Sequence, residues 1–424
     1  MSGSSGYRLL VATDTAFVNT LSGYNPASVT DTFVVVTNIP AGAQYYYKVE
    51  AVTSSGVSGG SNVIGVATLP VTADEYVFIG SFDSSLHCFN ASTGAQIWAA
   101  PTTSVVEGSA AISNGLIYTG SDDGRLYAFN VNTGAQNWAF STGEPVLSTP
   151  TIVNGILYFG SFDGFLYAVN AATGVQVWSV DFSFLSNPFD IFSSPTVSNN
   201  TVYITTFDDS LHAFNAATGA REWTSPLGPP ASPAAPSSPG LSSPAVSNGI
   251  VYVGGGDNNL YALDAVSGSL EWTAPIGFGI ISSPTVVNGI VYIGSKDSSL
   301  YAINATTGAQ VWSAATGGQI ASSPLVAGGI VYVGSYDDKL YAFDAGTGAL
   351  KWSATTGGTI ESSPVVSNGT VYVGSYDNFL YAFDAATGTL KWRTATNGHI
   401  DLSSPVVLLF NGTVVRPGIS GDVQ

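Results

Sequence analysis

The sequence predicts an all-β fold, namely an eight-bladed β-propeller of four-stranded antiparallel blades, with a partial β-sandwich at its N-terminus. Three observations lead to this prediction. A unit of about 40 residues occurs eight times, apolar and small residues alternate within each unit, and Asn-Gly or Thr-Gly pairs mark the turns. At 424 residues the chain is long enough to bury a core in every blade.

The repeat is marked by its tryptophans, which are separated by 40, 40, 45, 49, 40, 40 and 40 residues. An aspartate precedes each of them by fifteen residues, and a glycine preceded by Thr or Ser precedes each by four. Short strands that repeat at this period are typical of propeller blades. We therefore predict that every tryptophan packs between neighbouring blades as a structural residue. These residues are Trp98, Trp138, Trp178, Trp223, Trp272, Trp312, Trp352 and Trp392.

One unit illustrates how each blade is predicted to form. "SSPVVSNG" (362–369) gives an inner strand that ends in an Asn-Gly turn, and "TVYVGS" (370–375) gives the second strand. "FLYAFDA" (379–385) alternates with period two, as a half-buried strand does. Asp384 holds the next turn, Gly388 accepts a positive φ there, and "TLKW" begins the outer strand.

The segment "YAFDAATGTLKW" (381–392) resembles the tryptophan-docking repeat of the quinoprotein dehydrogenase-like propellers, whose enzymes use pyrroloquinoline quinone (PQQ). The resemblance covers about residues 76–408. It implies an eight-bladed ring, but the family contains both enzymes and non-catalytic propellers, so the fold alone does not assign an activity.

The N-terminal residues 1–70 resemble the later strands of a fibronectin type III module, with "YYYKVEAV" as one strand and Tyr45 as its tyrosine corner. We place a linker at 71–75 and the propeller at 76–424. Because the opening strands of the module are missing, an apolar face is predicted to be exposed, which would suit self-assembly by strand donation from a neighbour.

The C-terminal stretch "NGTVVRPGISGD" (411–422) resembles the start of another unit. We therefore expect the chain to be a fragment of a longer modular protein. A second, compatible expectation is that the strand at 403–408 returns to complete the first blade and closes the ring.

Composition excludes several classes of function. The formal net charge is −18 with only ten Lys and Arg residues, so the chain lacks the basic surface that nucleic-acid binding needs. No apolar run is long enough for a membrane helix. The single cysteine, Cys88, excludes an internal disulfide and cysteine-based metal or haem motifs. We expect an extracellular or cell-surface location, with the periplasm as an alternative.

The resemblance also raises the possibility of a PQQ- and calcium-dependent oxidoreductase. In the catalytic relatives a tryptophan outside the repeats and a vicinal cysteine pair enclose the quinone. Here every tryptophan belongs to a repeat, there is one cysteine, and the arginines are scattered (Arg8, Arg125, Arg221, Arg393 and Arg416). We predict a non-enzymatic protein without cofactor or metal, and we interpret the eight repeat aspartates as turn residues rather than calcium ligands.

Two sets of residues are candidates for binding. The first is a set of polar residues that precede inner strands and should meet at one mouth of the central channel: Glu107, Glu144, Asp190, Glu361, His399 and Asp401. They would bind a cation or a basic peptide, or they would simply be solvated, which is the alternative we favour from the sequence.

The second set lies in two lengthened connections, 181–192 and 225–240, and consists of Phe182, Phe184, Phe189, Pro229 and Pro230. The phenylalanines would either anchor a partner or pack onto the propeller as a local cap. The sequence thus predicts a scaffold that recognises a protein or glycan partner through loops on one face. The alternatives are the PQQ oxidoreductase and a structural subunit completed by strand donation.

Overall fold

A computed structural model describes residues 6–12, 16–17, 27–29, 44–53, 56–57, 64–67, 75–182, 191–228, 242–409 and 412–416. The chain divides into two compact units, Met1–Asp74 and Glu75–Gln424. All regular structure in the described residues is β-strand. Accordingly, that part of the chain contains no helix of the length and apolarity needed to cross a membrane.

The first unit contains one antiparallel sheet. The central long strand pairs on one side with the first strand and on the other with the last two, and the described strands of this unit are Gly6–Ala12, Ala27–Val29, Gln44–Thr53, Gly56–Val57 and Ile64–Ala67. Leu9, Val11 and Ala12 are buried. The side chain of Tyr45 lies outside the described residues, so the tyrosine corner and strand donation stay predictions.

The second unit is an eight-bladed propeller, which confirms the predicted fold class. Blades 2 to 8 are each an antiparallel sheet of four strands in sequential order, and blade 1 takes its innermost strand from the C-terminal end of the chain. From blade 1 to blade 8, the innermost strands are Val406–Leu408, Ala111–Ser113, Thr151–Val153, Thr196–Ser198, Ala245–Ser247, Thr285–Val287, Leu325–Ala327 and Val365–Ser367. The second strands are Tyr76–Ser81, Leu116–Ser121, Ile156–Gly160, Thr201–Thr206, Ile250–Gly254, Ile290–Gly294, Ile330–Ser335 and Thr370–Gly374.

The third and fourth strands complete each blade in the same order. The third strands are Ser85–Asn90, Arg125–Asn130, Phe165–Asn170, Ser210–Asn215, Asn259–Asp264, Ser299–Asn304, Lys339–Asp344 and Phe379–Asp384. The fourth strands are Gln96–Pro101, Gln136–Ser141, Gln176–Asp181, Arg221–Pro226, Leu270–Pro275, Gln310–Ala315, Leu350–Thr355 and Leu390–Ala395.

The ring is closed by a strand from the C-terminal end of the chain. Val406–Leu408 pairs antiparallel with Tyr76–Ser81, with Val407 opposite Val77. The expectation that this segment completes the first blade is confirmed. A short fifth strand, Val414–Val415, then pairs with Val406–Leu408 and follows it in blade 1.

The turns use the residues that the repeat predicted. Asn368 and Gly369 both have positive φ, 43° and 69°, as a tight hairpin turn requires. The carboxylate of Asp384 accepts bonds from the backbone N–H groups of Ala386 and Thr387 and from the Thr387 hydroxyl. Gly388 has φ of 72°, a conformation in which a side chain would be strained.

The tryptophans join neighbouring blades, as predicted. Each indole Nε1 donates to a backbone carbonyl of the next blade at 2.9 to 3.3 Å. Trp392 does so across the closing seam, where it donates to Ala91 and packs on Gly94 of blade 1. The Tyr372 hydroxyl donates to the same carbonyl at 3.1 Å. One acceptor therefore holds two side chains of the preceding blade.

The repeat aspartates bind side chains of their own blade. The Tyr127 hydroxyl donates to Asp123 at 2.6 Å, and in blade 1 His87 takes the place of this tyrosine, 3.0 Å from Asp83. Cys88, beside His87, is 1% exposed, and burial raises the pKa of its thiol. These contacts give the aspartates a structural role within each blade.

Candidate ligand site at the channel mouth

One mouth of the channel is formed by two kinds of segment, the connections that enter the innermost strands and the turns between second and third strands. They are bonded to each other: the N–H of Phe82 donates to His399 O at 3.0 Å, and the N–H of Tyr376 donates to Thr359 O at 3.0 Å. In six of the described blades the residue just before the repeat aspartate is therefore held beside a connection, at the mouth: Phe82, Asp122, Phe162, Lys296, Tyr336 and Tyr376.

Three of the predicted carboxylates lie on consecutive connections and interact. Glu361 enters blade 8, Asp401 enters blade 1 and Glu107 enters blade 2. We name these three residues the acidic arc. Burial, together with the charges of Asp122, Asp401 and Glu361, raises the pKa of Glu107 to about 7. Burial and the charge of Asp401 raise the pKa of Glu361 to about 7.

Asp401 of the acidic arc and Asp122 beside it are also desolvated. Burial raises the pKa of Asp401 above its usual value, and its Oδ1 atom has no hydrogen-bond partner among the described residues. Burial and the charge of Asp123 raise the pKa of Asp122 to about 6. Acidic groups are therefore concentrated in this half of the mouth. Ionising them costs free energy, because each carboxylate disfavours ionisation of its neighbour.

Aromatic rings border the acidic arc. The Tyr376 hydroxyl donates to Asp401 at 3.3 Å, and Tyr336 forms a side-chain hydrogen bond with Glu361. The His399 ring lies between two aromatic rings, with its centroid 3.8 Å from that of Phe82 and 4.6 Å from that of Tyr376. Tyr376 is 40% exposed, so part of this aromatic surface faces solvent.

The other acidic residues that the sequence placed at the mouth do not belong to the acidic arc. Glu144, on the connection into blade 3, is exposed. Asp190 lies outside the described residues. Lys296, which sequence reasoning did not single out, lies close enough to lower the pKa of Glu361.

Sequence reasoning missed Tyr336, Tyr376 and Phe82, although a signal was present. The residue before the repeat aspartate varies among Phe, Tyr, Asp, Gly and Lys, while its neighbours scarcely change. Variation at one position of an otherwise regular repeat marks a place where the blades differ in surface rather than in packing.

The phenylalanine predictions need a correction. Phe182 is 2% exposed, and its ring packs against His212 at 5.0 Å and Phe214 at 5.6 Å between centroids. It belongs to the core of blades 3 and 4, so the packing alternative holds and a buried ring is not available to a partner. The other loop candidates lie outside the described residues: Phe184, Phe189, Pro229 and Pro230.

The mouth combines carboxylates with aromatic rings. The described residues contain no group of three or more His, Cys, Asp or Glu side chains placed to hold a metal. Carboxylates bordered by aromatic rings attract Lys or Arg side chains by charge and by cation–π contact.

The residues present do not fit a stacked quinone. Each tryptophan is engaged with the next blade through its Nε1 atom, and the single cysteine is buried in a strand. The groups that would enclose the quinone ring in the catalytic relatives are therefore not offered at this mouth.

Fold and repeat together define the class, an eight-bladed propeller of PQQ-like repeats. A family model described as "Outer membrane protein assembly factor BamB" matches residues 47–238, 208–325 and 296–423. The chain belongs to this family.

Solved structures share the fold. BamB from Moraxella catarrhalis has a TM-score of 0.57 and 19% identity, covering 73% of this chain and 93% of that one. The computationally designed Ika8 protein has a TM-score of 0.59 and 18% identity, with coverages of 74% and 96%. Quinohemoprotein alcohol dehydrogenase from Comamonas testosteroni has a TM-score of 0.57 and 16% identity, with coverages of 71% and 70%. A search of curated proteins finds no match.

Proposed function

We propose that this chain is a non-enzymatic scaffold, at the cell surface or in the periplasm, that binds a protein partner through the channel mouth. A segment of the partner that carries Lys or Arg lies on the acidic arc, and its side chains contact the rings of Tyr376 and Phe82. Membership of a family named for an assembly factor supports a protein-binding role.

The single observation that carries the proposal is the acidic arc itself. Burial and the neighbouring carboxylates of three consecutive connections together raise the pKa of Glu107 and that of Glu361 to about 7. A cationic ligand relieves this repulsion, because it stabilises the ionised form of each group. The acidic chain, with ten Lys and Arg residues against 28 Asp and Glu, offers few competing cations of its own.

Calorimetric titration with an acetylated Lys-Gly-Lys-Gly-Lys peptide, at about pH 8 and about 0.1 M ionic strength, tests the proposal. The wild-type chain is expected to bind this peptide and not the matching Glu-Gly-Glu-Gly-Glu peptide. The Glu107→Gln/Glu361→Gln variant should bind about tenfold or more weakly, because two attractive charges are removed from the contact.

The matched control is Glu222→Gln/Glu271→Gln, which removes the same net charge from the outermost strands of blades 4 and 5. Its affinity should stay within about twofold of the wild type, because screening limits the reach of distant charges to about 10 Å. Equal losses in both double variants would mean that net charge, and not the acidic arc, attracts the peptide, and the proposal would be overturned.

A further inference from the structure

The innermost ends of the blades carry a ring of hydroxyl groups. In seven successive contacts, which run from Thr149 round to Ser109, a backbone N–H donates to the hydroxyl of the next blade at 2.8 to 3.0 Å. We name this set the hydroxyl ring, and its members are Ser109, Thr149, Ser194, Ser243, Ser283, Ser323, Ser363 and Ser404.

Each of these bonds leaves a proton available. A serine hydroxyl that accepts an N–H bond still has its own O–H to donate. Ser404 directs its O–H towards Leu402 O at a long 3.4 Å. In the part of the chain that the structure describes, the other hydroxyls of the ring donate to no protein acceptor. The ring therefore presents several unused donors to the channel.

Arg416 faces the same space. It directly follows the short strand Val414–Val415, and it lines a cavity of about 90 Å³ together with the whole hydroxyl ring. Arg416 is partly buried, and burial lowers the pKa of its guanidinium from the usual value. Within the described residues its side chain has neither an ion pair nor a hydrogen bond.

The acidic arc does not neutralise this cation. The pKa shifts of Glu107, Glu361 and Asp401 come from burial, from one another and from nearby residues of the mouth, and Arg416 is not among their causes. An arginine has donors only and stays protonated. A partly buried cation of this kind is stabilised when a negative group lies beside it.

From this arrangement we propose that the central channel binds a small oxyanion, such as sulfate or phosphate, between the Arg416 guanidinium and the hydroxyl ring. The guanidinium supplies positive charge and donors, and the serine hydroxyls supply neutral donors. The oxygens of the oxyanion accept hydrogen bonds from both. A cavity of about 90 Å³ has room for such an ion, since one water molecule occupies about 30 Å³ of liquid. The site is distinct from the acidic arc and does not depend on the proposed function.

Isothermal titration of the full chain with sodium sulfate, at ionic strength held constant with sodium chloride, tests this site. The wild type is expected to bind sulfate with a dissociation constant below about 10 mM, and Arg416→Gln should weaken it at least about tenfold. Arg125→Gln removes the same charge from an exposed strand end and should leave the affinity unchanged.

A second variant keeps the proposal testable if Arg416→Gln does not fold. Thr149→Val removes one hydroxyl of the ring at nearly constant volume, and it should weaken sulfate binding about threefold. The seven N–H contacts remain, because the Thr149 hydroxyl accepts none of them. Two results would overturn the proposal: no sulfate binding by the wild type, or equal binding by the wild type and by folded Arg416→Gln and Thr149→Val variants.

Discussion

The Val406→Asp variant is expected to lose about 3–5 kcal/mol of unfolding free energy, the largest effect we predict for a single substitution. Val406 is 0% exposed and pairs with Phe78 in the strand that closes the ring. Its neighbours in the core include Phe78 and Tyr127, so a carboxylate there is buried among apolar side chains. Urea unfolding followed by tryptophan fluorescence measures the loss.

A matched substitution distinguishes disruption of the closing strand from the general effect of adding a negative charge. Val311→Asp places the same carboxylate on an outermost strand at a valine that is 50% exposed. It should change the unfolding free energy by less than about 0.5 kcal/mol. If Val406→Asp were equally mild, the C-terminal strand would not be what closes the propeller.

Trp312→Ala is expected to cost about 3–5 kcal/mol, because a large buried ring is removed from the interface between blades 6 and 7. Trp312 is 9% exposed, and its ring lies on Gly348 of the next blade, where a Cβ would come within 2.7 Å. Its Nε1 donates to Ala345 O at 3.0 Å.

Trp312→Phe divides this effect into packing and hydrogen bonding. The phenyl ring keeps much of the contact, while Ala345 O retains the bond from the Tyr292 hydroxyl at 3.0 Å. We expect a loss of about 1–2 kcal/mol for this variant. Val311→Ala, at the exposed neighbouring position, serves as the control in the same urea experiment. Similar losses for Trp312→Ala and Val311→Ala would contradict the docking role.

The fold was predictable from the sequence because the signals that determine it are local to each repeat. The Asn-Gly turn at Asn368, the aspartate turn at Asp384 and the spacing of the tryptophans act within one unit or between adjacent units. Closure of the ring was also predictable. The first unit lacks an inner strand of its own, and residues 403–408 resemble one. Phe182 was misjudged because it follows a fourth strand, at the start of a lengthened connection, and only packing against His212 and Phe214 shows that it is buried.

The site was predictable only in part. The positions of Glu107, Glu361 and Asp401 before inner strands placed them at one mouth, but their mutual contact depends on closure of the ring. Glu107 and Asp401 are far apart in sequence and adjacent only across the seam. Arg416 and the hydroxyl ring were missed for a related reason: a Ser-Ser-Pro motif indicates a strand start, and only the circular arrangement of the eight connections forms a cavity.

The pH dependence of basic-peptide affinity tests the proposed function most directly. The pKa of Glu107 and that of Glu361 are raised to about 7, so both carboxyl groups are largely neutral below that pH and ionise above it. Lysine side chains stay protonated throughout, with a pKa near 10.4. Affinity for the Lys-Gly-Lys-Gly-Lys peptide should therefore rise about tenfold between about pH 6 and about pH 8. Most of this rise should be lost in Glu107→Gln/Glu361→Gln, where Asp122, with a pKa of about 6, still ionises over part of this range. An affinity that is flat or falls over this range in the wild type would contradict binding at the acidic arc.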